Sequence, residues 1–117
     1  MQYDVLTTPK FEKDIKHYRK KFKSVADDVN EIVEELERGN LQGDIVPNIE
    51  MLDDNNNIVK VRIANSDTKS GKSSGYRLIY YAEKSDGTIY LLTLYYKKEK
   101  ENFTNKEIQE LILKYCM

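Results

Sequence analysis

Four cations and one tyrosine carry the chemistry that this sequence offers: Lys60, Arg62, Arg77, Lys97 and Tyr95. They fall on three segments in which apolar residues recur at every second position, the period of a β-strand. In the first, Val59, Val61 and Ile63 alternate with Lys60 and Arg62. In the second, Tyr76, Leu78 and Tyr80 alternate with Arg77, Ile79 and Tyr81. In the third, Tyr90, Leu92, Leu94 and Tyr96 alternate with Leu91, Thr93, Tyr95 and Lys97. If the first-named set of each strand faces a common core, then Lys60, Arg62, Arg77, Tyr95 and Lys97 share the opposite face. Phosphates need cations and a nucleobase needs a flat ring to stack on, so this face suits RNA. An ordinary solvated sheet face also carries Lys, Arg and Thr, and the pattern alone permits both readings.

Other chemistries lack their residues. His17 is the one histidine and lies inside a helical segment, where it reads as a surface residue. No group of His, Cys and carboxylates has metal-ligand spacing, so no metal or cofactor is implied. Gly71-Lys72-Ser73 is not a phosphate-binding P-loop: Ser66 stands where the first glycine belongs, and no helix signal follows. Lys69 and Lys72 in that Gly/Ser-rich loop fit contacts to RNA phosphates. Asn102-Phe103-Thr104 matches a glycosylation sequon, which in a cytosolic chain reads as chance.

The elements that must position these residues are legible in part. Residues 3–7 suit a short strand. Thr8-Pro9 opens a helix, with threonine as N-cap and proline at the first helical position. Phe11, Ile15, Tyr18 and Phe22 form its apolar stripe. Ser24 is the expected N-cap of a second helix, with Asp27 and Asp28 in its first turn, a stripe of Val25, Val29, Ile32, Val33 and Leu36, and Gly39 just beyond its end. Residues 40–57 read as loop, and the three strands follow over 58–64, 76–82 and 89–96, the last two joined by a turn at Ser85-Asp86-Gly87. Thr104 with Glu107 makes a capping box, and Phe103 with Ile108 a hydrophobic staple, for a last helix striped by Ile108, Leu111, Ile112 and Tyr115. The expected order is β-α-α-β-β-β-α: an α+β domain, mostly antiparallel, with a helical hairpin on one sheet face.

Composition bounds the rest. A chain of 117 residues suits one domain, and 33% charged with 39% hydrophobic residues suits a folded soluble one. The start lacks the basic and apolar stretches of a signal peptide, no apolar run can span a bilayer, and Cys116 has no partner for a disulfide, so the cytoplasm is the expected compartment. The net charge of −1 conceals blocks: +4 over residues 1–25, −9 over 26–57, +5 over 58–100 and −1 over 101–117. Two basic blocks meeting on one surface would attract phosphate that the global charge does not predict.

Three stretches together carry a family resemblance. Lys60-Val61-Arg62-Ile63-Ala64 is followed by the basic Gly/Ser loop. Then come Gly75-Tyr76-Arg77-Leu78-Ile79-Tyr80-Tyr81 and Ile89-Tyr90-Leu91-Leu92-Thr93-Leu94-Tyr95-Tyr96-Lys97-Lys98-Glu99. This succession, over about residues 58–112, resembles the HigB-like branch of the RelE/ParE toxin superfamily. The N-terminal half agrees only in the order of its helices and in a Phe-x-x-x-Ile/Val start, Phe11 and Ile15 here. The resemblance implies the toxin of a type II toxin–antitoxin pair: a metal-independent endoribonuclease that cuts mRNA on the ribosome and halts translation. It implies a cognate antitoxin, a helix-turn-helix protein, and no membrane. Lys60, Arg62, Arg77, Tyr95 and Lys97 are the positions to which catalysis carries over, and Lys69, Lys72 and Lys98 those expected to touch RNA.

Cutting RNA this way requires that the 2′-hydroxyl lose a proton, the phosphorane charge be stabilised and the 5′-oxygen gain a proton. Arg62 and Arg77 suit the phosphate, since a guanidinium stays charged and presents a fork. Lys60 or Lys97 serves as base only if neighbouring cations depress its pKa from about 10.4. Tyr95 suits stacking or proton donation, although Tyr96 beside it stands where relatives carry a small residue, so either tyrosine is a candidate. Two other readings compete. ParE-type members poison DNA gyrase, which does not require a cationic sheet face, and a decayed toxin would bind its partner without cutting anything. The acidic second helix suits a solvated face, or one that repels rRNA or meets a basic antitoxin.

Overall fold

The structure, a computed structural model, describes residues 2–49, 56–69, 71–100 and 102–116. The N-terminal strand β1 (Asp4–Thr7) ends where Pro9 removes a backbone donor, and helix α1 (Pro9–Arg19) begins there. The Thr8 hydroxyl caps it by accepting from Phe11 N at 3.3 Å, as expected from sequence. The apolar stripe outruns the helix: Phe22 lies beyond its end and sets its ring edge-on to Tyr76 and Tyr96 at 6.0 and 5.0 Å. Helix α2 (Val25–Glu37) follows, ending on Gly39 at φ 91°, a left-handed conformation that suits glycine. Ser24 precedes α2, but its side chain makes no capping bond. Its backbone N–H instead donates to Asp67 Oδ2 at 2.8 Å, and Asp28 accepts from Ser66 N and Oγ at 3.1 and 3.0 Å. The turn at 66–69 is thereby fastened to the start of α2.

Five strands form one sheet in the order β1-β5-β4-β3-β2, one more than the sequence predicts. The addition is β2 (Asp44–Ile45), two residues paired antiparallel with Lys60 and Val59 inside the stretch expected to be loop. Residues 50–55 of that expected loop, and Ser70 of the Gly/Ser loop, lie outside the described residues. Strand β3 (Asn56–Ile63) pairs antiparallel with β4 (Tyr76–Glu83), and β4 with β5 (Thr88–Tyr96), while β1 joins β5 in parallel. The mixed α+β architecture agrees with expectation.

The helical hairpin covers one face. Phe11, Tyr18, Val25, Val29 and Leu36 pack there on Val59, Val61, Ile63, Tyr76, Leu78, Tyr80, Leu91, Leu94 and Tyr96. The opposite face is half covered by α3 (Asn105–Tyr115), whose Ile108 and Ile112 pack with Phe103 on Ile58, Ile79, Tyr81, Leu92 and Tyr95. Each such fully buried aliphatic side chain contributes about 1.5–3 kcal/mol.

Strict alternation fails in β5. Ile79 pairs with Thr93 and Tyr80 with Leu91, so Leu92 is an extra residue, a β-bulge. The slip turns Tyr90 and Leu92 onto the α3 face, the face of Lys60, and leaves Leu94 and Tyr96 in the hairpin core. The expectation that Tyr90 and Leu92 face the hairpin is thus corrected, whereas Tyr95 falls where it was predicted.

Past the end of β1, side chains of α1 and its cap occupy the edge of β5. Asp14 Oδ2 accepts from Leu94 N at 3.0 Å and Thr93 Oγ1 at 2.6 Å, Tyr18 Oη accepts from Tyr96 N at 2.9 Å, and Thr8 Oγ1 donates to Leu91 O at 2.8 Å. These bonds hold the outer half of β5, which carries Tyr95.

Candidate functional site

Strand register builds the site. Arg62 lies opposite Arg77, and Arg77 opposite Tyr95, so the three form a row across β3, β4 and β5. Lys60 sits two residues from Arg62 on the same strand, with Asp44 of β2 opposite it, and Lys97 follows directly on β5. With Asn102 before α3, these seven residues line an open cleft of about 570 Å³ beside the ground that α3 covers. Four cations against one carboxylate make it strongly positive. Two arginines directly opposite each other on a sheet are mutually destabilising, a cost that an anionic ligand would relieve.

The side chains differ in freedom. Arg62 and Lys97 are exposed. Lys60 is half-buried and donates from Nζ to Asn102 Oδ1 at 2.7 Å. Burial, then Arg77, Lys97 and Arg62, hold its amine below the ordinary lysine value. Arg77, expected on an open surface, is 4% exposed and clamps the loop before it. It donates from Nη1 to Lys72 O at 2.8 Å and Tyr76 O at 3.1 Å, and from Nη2 to Ser73 O at 2.9 Å. The loop is a turn at 66–69 and a 3-10 segment over Lys72–Ser74, seated on that guanidinium. Burial, then Arg62, lowers the Arg77 pKa, opposed by Tyr95.

Tyr95 is 2% exposed, its ring 5.2 Å from that of Phe103, and its buried hydroxyl has no hydrogen-bond partner among the described residues. An orphaned buried hydroxyl costs about 1–3 kcal/mol, which a ligand entering the cleft would recover. Burial raises its pKa against the pull of Arg77, so it keeps its proton. Tyr96 points the other way, among Tyr18, Phe22 and Tyr76 in the core, which makes Tyr95 the tyrosine of the cleft.

All five residues expected to carry chemistry therefore converge. Lys69, Lys72 and Lys98 are exposed and do not line the cleft. Asp44 and Asn102 do, and sequence reasoning missed both. Asp44 sits on a two-residue strand with no local signal, and Asn102 was visible only as the residue leading into the α3 cap. His17 is a surface residue as expected, its Nε2 3.1 Å from Glu99 Oε1, with Lys21 Nζ donating to the other oxygen at 2.7 Å. Glu99 thus joins the two basic blocks, and Lys21, then His17, lower its pKa against burial. Two larger concavities, of about 790 and 660 Å³, each carry four carboxylates, against Arg38 in the first and Arg62 and Lys72 in the second, so acids outnumber cations and both suit an anion less well than the cleft. Among the described residues no group of three His, Cys, Asp or Glu side chains can hold a metal ion, and no helix is long and apolar enough to cross a membrane.

No protein-family model matches this sequence, and no curated protein matches it. Solved structures do. One is the Escherichia coli toxin RelE, a double arginine-to-alanine mutant in the free state: it aligns with a TM-score of 0.53 and 20% identity, over 86% of this chain and 90% of that one. The fold is RelE-like. At that identity the likeness speaks for the RelE-like architecture alone, and function rests on the cleft.

Proposed function

We propose that this chain is a toxin of the RelE superfamily, HigB-like branch, that cleaves mRNA in the ribosome and is held silent by an antitoxin. The observation that carries the reading is the convergence of Lys60, Arg62, Arg77, Tyr95 and Lys97 in one cleft of a RelE-like fold. These are the residues of the toxin-like motifs, and they meet on the sheet face that the helical hairpin leaves free.

The residues divide the reaction by their environments. Lys60, its pKa depressed, takes the proton of the 2′-hydroxyl as a neutral amine. The 2′-oxygen attacks phosphorus, and the P–O5′ bond breaks to leave a 2′,3′-cyclic phosphate. Arg62 and Lys97, exposed at the cleft, meet the phosphate oxygens, with Arg77 beneath them. Tyr95, protonated and without a hydrogen-bond partner among the described residues, gives its proton to the departing 5′-oxygen. Lys60 leaves the cycle as ammonium and Tyr95 as phenolate, and exchange with water resets both. Lys69, Lys72 and Lys98 are free to meet rRNA phosphates. An antitoxin, from a helix-turn-helix partner gene, would cover the basic face or block entry to the ribosome, and the site of action is the cytoplasm. Because the cleft is open, free RNA is poorly aligned in it. The ribosome supplies in-line geometry, which contributes on the order of several kcal/mol.

The test is primer extension on a defined mRNA with purified protein, with and without ribosomes. Cuts that require ribosomes support the reading. Intact mRNA together with gyrase inhibition would move the protein to the ParE-type activity, and neither effect, with antitoxin still bound, would leave a binding module.

A further inference from the structure

The stretch Asn102-Phe103-Thr104 has a use that its sequon does not suggest. Thr104 caps α3 through the capping box. Phe103, 8% exposed, is wedged against the ring of Tyr95 and lies under the Lys100 ammonium at 4.4 Å. Asn105 Nδ2 donates to Pro47 O at 3.0 Å, fastening the start of α3 to the chain that leaves β2. Asn102 is held between these anchors, and its Oδ1 accepts from Lys60 Nζ at 2.7 Å.

We propose that Asn102 is a positioning residue for Lys60: its side-chain carbonyl fixes the amine in the cleft without supplying a negative charge. This rests on the endoribonuclease reading above. The choice of an amide matters physically. An amide oxygen accepts one N–H from either an ammonium or a neutral amine, so it orients the nitrogen in both states and leaves the lone pair of the amine free. A carboxylate at the same place would orient it as well, but would favour the ammonium and disarm the base. The charged groups facing Lys60 are Arg62 on β3, Arg77 on β4, Lys97 after β5 and Asp44 on β2, with Tyr95 on β5 and Asn102 itself supplied from before α3. Three of those, Arg77, Lys97 and Arg62, act with burial to favour the neutral amine, and Asn102 does not oppose them as an acid would.

Two measurements test this on the full chain. The first reads Lys60 directly, by NMR titration of protein carrying labelled lysine side chains, the Lys60 signal being assigned with Lys60→Arg. Asn102→Asp should raise the Lys60 pKa by about one unit, the size expected of a close opposite charge, and Asn102→Ala should shift it much less. The second is ribosome-dependent cleavage across pH. Asn102→Ala should lower kcat about tenfold, the value of one hydrogen bond, with KM little changed. Asn102→Asp should move the alkaline rise of kcat/KM to higher pH, and Asn102→Gln should recover part of the loss. Because Asn102 is exposed, all three variants should fold with unchanged circular dichroism. A Lys60 pKa indifferent to Asn102→Asp would overturn the proposal. A shifted pKa in a protein that cuts no mRNA would retain the Asn102–Lys60 pairing and overturn the endoribonuclease reading instead.

Discussion

Replacing Arg77 by alanine removes an observed loop clamp together with the phosphate contact proposed for the same side chain. The guanidinium donates to Lys72 O, Ser73 O and Tyr76 O at 2.8, 2.9 and 3.1 Å. A hydrogen bond from a charged donor contributes about 1.5–3 kcal/mol, so three amount to about 4.5 kcal/mol at the lower figure. Part of that is returned. Lys72 and Ser73 are exposed residues whose carbonyls rehydrate when the arginine is gone, and the repulsion from Arg62 opposite disappears. The net loss should be roughly 2–3 kcal/mol. At about 3–4 °C per kcal/mol for a chain of this length, the melting midpoint should fall by roughly 6–12 °C in a thermal scan. Cleavage should fall about 10²–10³-fold as well, through loss of phosphate stabilisation. Arg77→Lys is the informative companion: it keeps the charge but not the fork, so it should restore little of the midpoint. An unchanged midpoint in Arg77→Ala would refute the clamp and return Arg77 to the open surface that the sequence suggests.

Lys60→Met should raise the melting midpoint at neutral pH while abolishing cleavage, because the cleft disfavours an ammonium at that position. The sign follows from the lowered pKa: the penalty in the wild type is fully present below the folded pKa and fades as pH rises from there towards the unfolded value of 10.5, so the two proteins should converge in alkaline thermal scans. Tyr95→Phe removes a buried hydroxyl that has no partner among the described residues, so urea unfolding should show stability unchanged or raised by about 1 kcal/mol, and primer extension a loss of cleavage. Gly75→Ala would bring a Cβ to 2.2 Å from Ile63 O, a backbone atom that cannot swing aside, where β3 and β4 begin to diverge. It should cost about 3 kcal/mol in urea unfolding.

What the sequence discloses and what it hides divide along the range of the interactions. Thr8-Pro9 and the Thr104–Glu107 capping box are local bonds between near neighbours, and both helix starts fall where their residues say. Lys60, Arg62 and Arg77 were legible as one face because β3 and β4 run in register from Asn56 to Ile63 without a slip. Leu92 was misplaced because its bulge is set by how β5 meets β4, whereas Ser24 does stand at the N-cap of α2 and lacks only the side-chain capping bond, its backbone N–H being held by Asp67, distant in sequence. Asp44 was invisible because two residues hold no periodicity. Arg77 deceived for a related reason. Alternation assigns it a face, but its burial comes from a loop that folds back over it.

The parallel pairing of β1 with β5 sets an order of events in the life of the chain. Asp4 pairs with Thr88, so β1 has no place in this sheet until β5, some eighty residues later in the sequence, has been made. Such long-range closure is slow to form. The cleft obeys the same schedule, since its lining runs from Asp44 to Asn102. A chain released early, at a premature stop or a broken message, carries the helical hairpin and a fraction of the sheet, with an unpaired edge exposed to aggregation and proteolysis. It carries cations but no assembled cleft. Whatever the cleft does, it begins to do only after residue 102 has been made.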